Sequence, residues 1–265
     1  MAADLHPDAG FQKELDAGIH AARRAGALAL RYFLEPGSPV DKEDRSPVTI
    51  ADIECERLIA GMLSEEFPED GIFGEEGAFR TSRSGRRWII DPIDGTRDFV
   101  RRTSFWAVQL ALESQGRIVL GVIYLPRLDE IVHAVAGRGC FWNGEVTRAA
   151  DTSRLDKSIV LLSGFQSAWD TWPTDKIRYL TQSCWTVRAY SACYDVVMMA
   201  RGKADIWLSG NGMPWDYAPA RVIAQESGAH FVTKDGTGRI DARHCVIVAP
   251  ALKKIVCEIL EMPGG

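Results

Sequence analysis

In the segment Asp91-Pro92-Ile93-Asp94-Gly95-Thr96, two carboxylates stand three residues apart beside a glycine and a hydroxyl. The apolar run Trp88-Ile89-Ile90 before it reads as a buried strand, and Gly95 turns the chain into Arg97-Asp98-Phe99-Val100. Acids held close at the end of a buried strand raise each other's pKa, and burial disfavours their ionisation further, unless a cation is present. A hard divalent ion such as Mg²⁺ is the natural partner, because it takes carboxylate and carbonyl oxygens. The Gly95-Thr96 pair offers backbone N–H groups where a helix would begin, a place for an anion. Metal-binding acids beside a phosphate-binding turn point to metal-assisted phosphate chemistry. Asp-Pro and Asp-Gly are also ordinary turn dipeptides, so the segment taken alone reads equally well as a structural turn.

Other elements must bring partners to these acids. Residues 8–33 carry Phe11, Leu15, Ile19, Ala22, Leu30 and Phe33 at mostly helical spacing, and Pro36-Gly37-Ser38-Pro39 ends that helix. Ser46-Pro-Val-Thr-Ile-Ala-Asp52 opens a second helix running to about Phe67, with Thr49 as cap and Asp52 in the first turn. Ile72-Phe73 leads into Gly74-Glu75-Glu76-Gly77. Strands are predicted over 108–112, 118–124 and 131–135, with a hairpin turn at Asn143-Gly144. Composition then changes to alternation: a strand over 159–162, a helix over 191–201 and a strand over 204–208. Read as a structural residue alone, Asp216 N-caps a helix starting near Tyr217, with Pro219 in its first turn, and Gly228 closes that helix. Strands over 230–232 and 245–248 and a helix over 251–260 complete the chain. The composition shift divides it into an α+β lobe, 1–145, and an α/β lobe, 146–265, with a site between them.

The bulk properties exclude several classes. A chain of 265 residues with 46% hydrophobic and 25% charged content is an ordinary globular protein, and its net charge of −5 gives no footprint for nucleic acid or an anionic membrane. No apolar run is long enough to cross a bilayer, and Met1 to Asp8 shows no secretory signal. The six cysteines form no C-x-x-C pair or zinc spacing, so buried free thiols in a reducing cytoplasm are expected. The five histidines form no ligand cluster. Eight tryptophans, among them Trp169, Trp172 and Trp185, fill a core or a homodimer interface, or serve an interaction scaffold with no enzymatic role.

Asp52, Glu75, Asp91, Asp94 and Asp216 each lie at an element's end beside a glycine, proline or tryptophan. Taken in order with Gly74-Glu-Glu76, Trp88-Ile-Ile-Asp-Pro-Ile-Asp-Gly-Thr96, Gly121-Val-Ile-Tyr124, Gly137-x-Gly139, Gly202-x-x-Asp205, Trp215-Asp216 and Glu226-x-Gly228, the pattern resembles the inositol monophosphatase family of metal-dependent phosphatases. The resemblance implies that family's layered α-β-α-β-α sandwich, an α+β fold, and a homodimer. It implies that Glu75, Asp91, the Ile93 carbonyl, Asp94 and Asp216 hold two or three Mg²⁺ ions. It also implies that Thr96 and Asp52 orient a metal-activated water and take its proton, while Gly95 and Thr96 N–H groups hold phosphate.

The resemblance assigns the substrate, a small phosphorylated metabolite, less sharply. Inositol-specific members carry an acid seven positions before the Trp-Asp aspartate; Ser209 stands there, and Ser191-Ala192 matches the other contact segment. Loss of that acid leaves Ser209 or Asn211 as weaker acceptors for hydroxyls. A small polyol or sugar monophosphate is the family default. The Ser-Pro-Val-Thr-Ile-Ala-Asp motif and Pro214 resemble the histidinol-phosphate phosphatase branch, and Asp98 resembles the branch acting on adenosine 3′,5′-bisphosphate.

Overall fold

A computed structural model describes residues 10–35, 40–41 and 47–263. The readings placed on Met1 to Asp8, on Pro36-Gly37-Ser38-Pro39 and on Ser46 lie outside those residues.

The first helix, α1 (Gln12–Leu34), buries Ala17, Ala21, Ala22, Ala25 and Ala29, small side chains that let it lie close against α2 (Ile50–Glu66). The strands β1 (Val40–Asp41) and β2 (Pro47–Val48) pair between them, and α2 starts after Thr49, the expected cap. Thr49 completes a full capping box: its Oγ1 accepts the Ala51 N–H at 3.1 Å, and its own N–H donates to Asp52 Oδ2 at 2.8 Å. Satisfying orphan donors at both ends of that turn fixes the start of the helix.

Eight strands form the larger sheet: β3 (Gly71–Gly74), β4 (Phe79–Arg80), β5 (Arg86–Asp94), β6 (Ala107–Ser114), β7 (Arg117–Leu125), β8 (Glu130–Val135), β9 (Gly139–Trp142) and β10 (Glu145–Thr147). The short α3 (Thr96–Arg101) follows β5. The spatial order is β10-β9-β8-β7-β6-β5-β3-β4, antiparallel except for β3 beside β5. Asn143 and Gly144 turn β9 into β10 with φ of 49° and 83°, the left-handed pair a two-residue hairpin requires.

The second sheet orders its five strands β12-β11-β13-β15-β14: β11 (Ile159–Leu162), β12 (Thr186–Arg188), β13 (Ile206–Ser209), β14 (His230–Val232) and β15 (Cys245–Val248). Its helices are α4 (Phe165–Thr171), α5 (Thr174–Ser183), α6 (Ala192–Ala200), α7 (Pro214–Ser227) and α8 (Lys253–Ile259). Ala251 and Leu252, read as the start of the last helix, belong instead to a separate 3₁₀ turn, Pro250–Leu252.

Side-chain alternation separates the layers. Leu120, Val122 and Tyr124 of β7 enter the core beneath α1 and α2, whereas Ile123 and Leu125 enter a core shared with α6, α7 and the inner face of the second sheet. The outer face of that sheet is covered by Trp172, Ile177, Leu180 and Val256. The result is the expected α-β-α-β-α sandwich.

Helix α7 approaches the large sheet very closely. A Cβ on Gly121 would lie 2.7 Å from Val222 Cγ1 and 2.9 Å from Pro219 Cα, so only glycine fits beneath this helix. All six cysteines are free thiols and five are buried. Trp172 is buried, but Trp169 and Trp185 are 53% and 67% exposed, so the tryptophans divide between core and surface.

Candidate metal centre

Strand β5 carries two of the acids and decides where they point. Trp88 and Ile90 enter the core under α1 and α2, and Ile89 enters the opposite face. Asp91 therefore faces the middle layer, beside its cross-strand partner Gln109. Regular alternation would send Asp94, three residues on, to the other face. The pairing slips instead: Asp91 lies opposite Gln109 but Asp94 opposite Ala107, three steps on β5 against two on β6. A bulge of this kind re-aims a side chain, and Pro92, with no N–H to give the ladder, lies inside it. Ala107 belongs to the middle-layer core, so both acids address the same layer.

The third acid comes from α7. This helix begins at Pro214 with Met213 at its N-cap, not at Tyr217 with Asp216 as cap. A proline with its fixed φ suits the first helical position. Asp216 is therefore the third residue of the helix, and its Oδ2 accepts the Met213 N–H at 2.7 Å. Pro219 correspondingly falls in the second turn, inside the helix.

One carboxylate oxygen each from Asp91, Asp94 and Asp216 lies within 4.8 Å of the others. Asp91 is 1% exposed; the other two are half-buried. Asp94 Oδ2 accepts the Cys193 N–H at 2.9 Å, whereas Asp91 Oδ1 has no hydrogen-bond partner. Burial pushes the Asp91 carboxyl well above the usual carboxylate range, and the charges of Glu75, Asp94 and Asp216 push it further. Burial and Asp94 raise Asp216. Burial raises Asp94 too, against the Cys193 contacts, which favour its charged form. A buried carboxylate oxygen with no donor, ringed by other acids, lacks a counter-charge. Its surroundings offer hard oxygen ligands at a spacing that suits Mg²⁺.

The remaining expected residues fall around this group. Glu75 is not one of the three-oxygen set; its N–H donates to the Ile90 carbonyl at 3.1 Å, and its charge acts on both Asp91 and Asp216. The Ile93 carbonyl accepts from Thr96 Oγ1 at 3.2 Å. The same hydroxyl lies 3.4 Å from Asp52 Oδ1, and its single proton serves one acceptor at a time. Asp52 is buried, and its carboxyl rises to about 6 through burial, against the Thr49 hydrogen bonds. Gly95 caps α3 with φ of 83°, pressed against Ser191 Oγ and the Phe105 carbonyl. Ala192 opens α6 beside the Cys193 amide that meets Asp94.

Ser209 is buried, and its Oγ lies 2.8 Å from the Tyr217 hydroxyl, which also accepts the Gly212 N–H. Asn211 Oδ1 accepts from Arg243 Nη2 at 2.7 Å. Asp98 accepts from Thr103 Oγ1 at 2.6 Å.

Two contributors escaped the sequence reading. The Cys193 amide acts through backbone, which no residue type announces. Glu56, 2% exposed, follows Asp52 by one turn of α2 and accepts the N–H groups of Glu76 and Ala78 at 2.8 and 2.7 Å. An acid between the apolar Cys55 and Ile59 was the signal available.

A family profile described as the inositol monophosphatase family matches residues 12–262. A histidinol-phosphatase of Chlorobaculum parvum is 37% identical over 216 residues, covering 81% of this chain and 83% of that protein. A fructose-1,6-bisphosphatase/inositol-1-monophosphatase of Thermotoga maritima is 28% identical over 95% of this chain and 98% of its own length. The crystal structure of the extragenic suppressor protein suhB from Bartonella henselae superposes with a TM-score of 0.86 at 27% identity, covering 96% of this chain and all of that one (100%).

Proposed function

The chain belongs to the inositol monophosphatase family and is a phosphoric monoester hydrolase; we propose that it uses two or three Mg²⁺ ions to hydrolyse a small polyol or sugar monophosphate. The observation that carries this reading is the gathering of Asp91, Asp94 and Asp216, with one oxygen of each within 4.8 Å of the others, about a buried Asp91 carboxylate whose Oδ1 has no donor.

Glu75, Asp91, the Ile93 carbonyl, Asp94 and Asp216 are the groups that would hold the ions. Bound there, Mg²⁺ supplies neutralisation of phosphate charge and acidification of water. The protein's own groups do the rest. The Thr49 N–H and hydroxyl engage Asp52 Oδ2, at 2.8 and 2.6 Å, and leave Oδ1 turned to Thr96. With a carboxyl at about 6, Asp52 is ionised at neutral pH and accepts a proton from the nucleophilic water through the Thr96 hydroxyl. The first N–H groups of α3, from Gly95 and Thr96, have no carbonyl within the helix to bond and so suit phosphate oxygens.

A second reading, histidinol phosphate as substrate, has its own support. The Chlorobaculum parvum relative carries that activity in its name. Ser209, moreover, commits its hydroxyl to Tyr217 and offers a polyol no charged acceptor. Adenosine 3′,5′-bisphosphate ranks third, since Asp98 is engaged by Thr103. Phosphate release from histidinol phosphate, inositol 1-phosphate, fructose 1,6-bisphosphate and the nucleotide, with and without Mg²⁺, tests the whole reading. Turnover independent of Mg²⁺ would overturn it, and a tenfold or greater preference for histidinol phosphate would install the second reading.

A homodimer working in the cytoplasm completes the proposal, with the site between the 1–145 and 146–265 lobes. The six free thiols support the compartment, and light scattering on the purified protein tests the dimer.

A further inference from the structure

We propose that Glu56 is a positioning residue that holds the 74–78 turn, and with it Glu75, at the distance from Asp91 that metal binding requires. This inference rests on the Mg²⁺ reading above.

The segment 74–78 is a tight loop closed by the Gly74 N–H donating to the Ala78 carbonyl at 2.8 Å, with Gly77 at φ 102°. Left to its backbone, such a loop has two inward N–H groups, those of Glu76 and Ala78. Both end on one side chain: Glu56 Oε2 takes the first at 2.8 Å and Oε1 the second at 2.7 Å. The carboxylate fills the loop so closely that a Cβ on Gly74 would sit 2.3 Å from Glu56 Oε2. Glu75 lies between the residues so held. Its own N–H is pinned to the Ile90 carbonyl on β5, the residue before Asp91. Glu75 is therefore fixed from both sides, by α2 through Glu56 and by β5 directly.

Position on the helix gives the arrangement its consequence. Glu56 lies one turn beyond Asp52, so one rigid rod carries both the proposed proton acceptor and the clamp on a proposed ligand. A buried carboxylate bonded to two amide N–H groups is a strong, directional anchor. Residues that orient a ligand from behind commonly change metal affinity by roughly 10–100-fold when replaced.

The test measures metal binding directly. Mn²⁺ titrated into the metal-free protein is followed by calorimetry for wild type, Glu56→Gln and Gly74→Ala, with hydrogen exchange of the 74–78 amides read on each. Glu56→Gln keeps the shape but puts an amide N–H against a backbone donor. Gly74→Ala pushes the clamp away while leaving Glu56 in place. Expected is at least tenfold weaker Mn²⁺ binding in both variants, loss of protection at Glu76 and Ala78, and a melting temperature measured without metal that accounts for none of the change in affinity. Wild-type affinity in either folded variant, with the amides deprotected, would overturn the clamp and leave the phosphatase reading standing. Wild-type protein that takes up no Mn²⁺ would remove the metal reading and this inference together. Should one variant fail to fold, the other decides between the same outcomes.

Discussion

Asp52 and Glu56 on α2 and Asp91 on β5, where that strand meets α7, stand in opposite relations to hydrogen-bond donors. On α2, Asp52 receives the Thr49 N–H and hydroxyl, and Glu56 receives two loop amides. At the other place, Asp91 has an oxygen with no donor and three acidic neighbours. Asp52, Glu56 and Asp91 are all buried. Folding supplies donors to the first pair and, through the Cys193 and Met213 amides, to Asp94 and Asp216, but gives none to Asp91 Oδ1, which retains a deficit of positive charge. Burial alone therefore does not mark the candidate metal centre. A donor-free buried oxygen does so only where other carboxylates gather round it, as at Asp91 and unlike Asp195.

The sharpest way to break this contrast is Asp91→Asn. Activity should fall by about 10³-fold or more, since several kcal/mol of transition-state charge stabilisation depend on the ions. Without metal, the variant should melt no lower than wild type, because a like-charge contact has been relieved. A metal-free melting temperature well below wild type would show that Asp91 is structural.

Metal addition should produce the next effect. Saturation at about 100 times the dissociation constant stabilises by about 2.7 kcal/mol, which is roughly 5–10 °C in a chain of this size. Calorimetric melts with and without Mg²⁺ measure it, and an unchanged midpoint would contradict the reading.

The pH dependence of the metal-free protein sharpens the comparison further. Asp52 has a folded pKa raised from 3.8 to about 6, and Asp91 and Asp216 are raised as well. A raised carboxyl contributes stability that is fully present below its unfolded pKa and is lost as pH rises through the folded value. The metal-free melting temperature should therefore decline from about pH 4 to beyond pH 6. Saturating Mg²⁺, which replaces protons among the acids, should flatten that decline.

The smallest effect belongs to Ser209→Ala. Loss of the Tyr217 hydrogen bond should lower stability by about 1 kcal/mol and leave kcat/KM for the preferred substrate within about twofold. A large rise in KM would put the Ser209 hydroxyl on the substrate after all.

What the sequence revealed follows from how locally each feature is encoded. Asp91, Asp94 and Thr96 are near neighbours in the chain, and the glycine and proline between them mark a special turn, so the heart of the site was legible. The bulge that aims Asp91 and Asp94 at one layer was not, because register is set by the partner strand β6. Asp216 was found through Trp215 beside it, but its place in the helix was misjudged because Pro214 was not read as the first helical residue. Helices α4 and α5 went unread: Trp169 is exposed and Trp172 buried on a segment too short for a clear apolar face. The layer order came from resemblance. Alternation in β7 explains it only once both sheets are in view.

The missing side chain at Gly121 has a bearing on ionic radius. Asp216 rides on the helix that rests against this glycine, while Asp91 and Asp94 belong to the sheet itself. The thickness of an apolar seam would thus act as a gauge for the span between oxygens. Oxygen sits about 2.0–2.1 Å from Mg²⁺ and about 2.3–2.6 Å from Ca²⁺, a gap of a few tenths of an ångström, smaller than the displacement one methyl under the helix would force. Discrimination between two alkaline-earth ions would then be written partly in a greasy contact that touches neither.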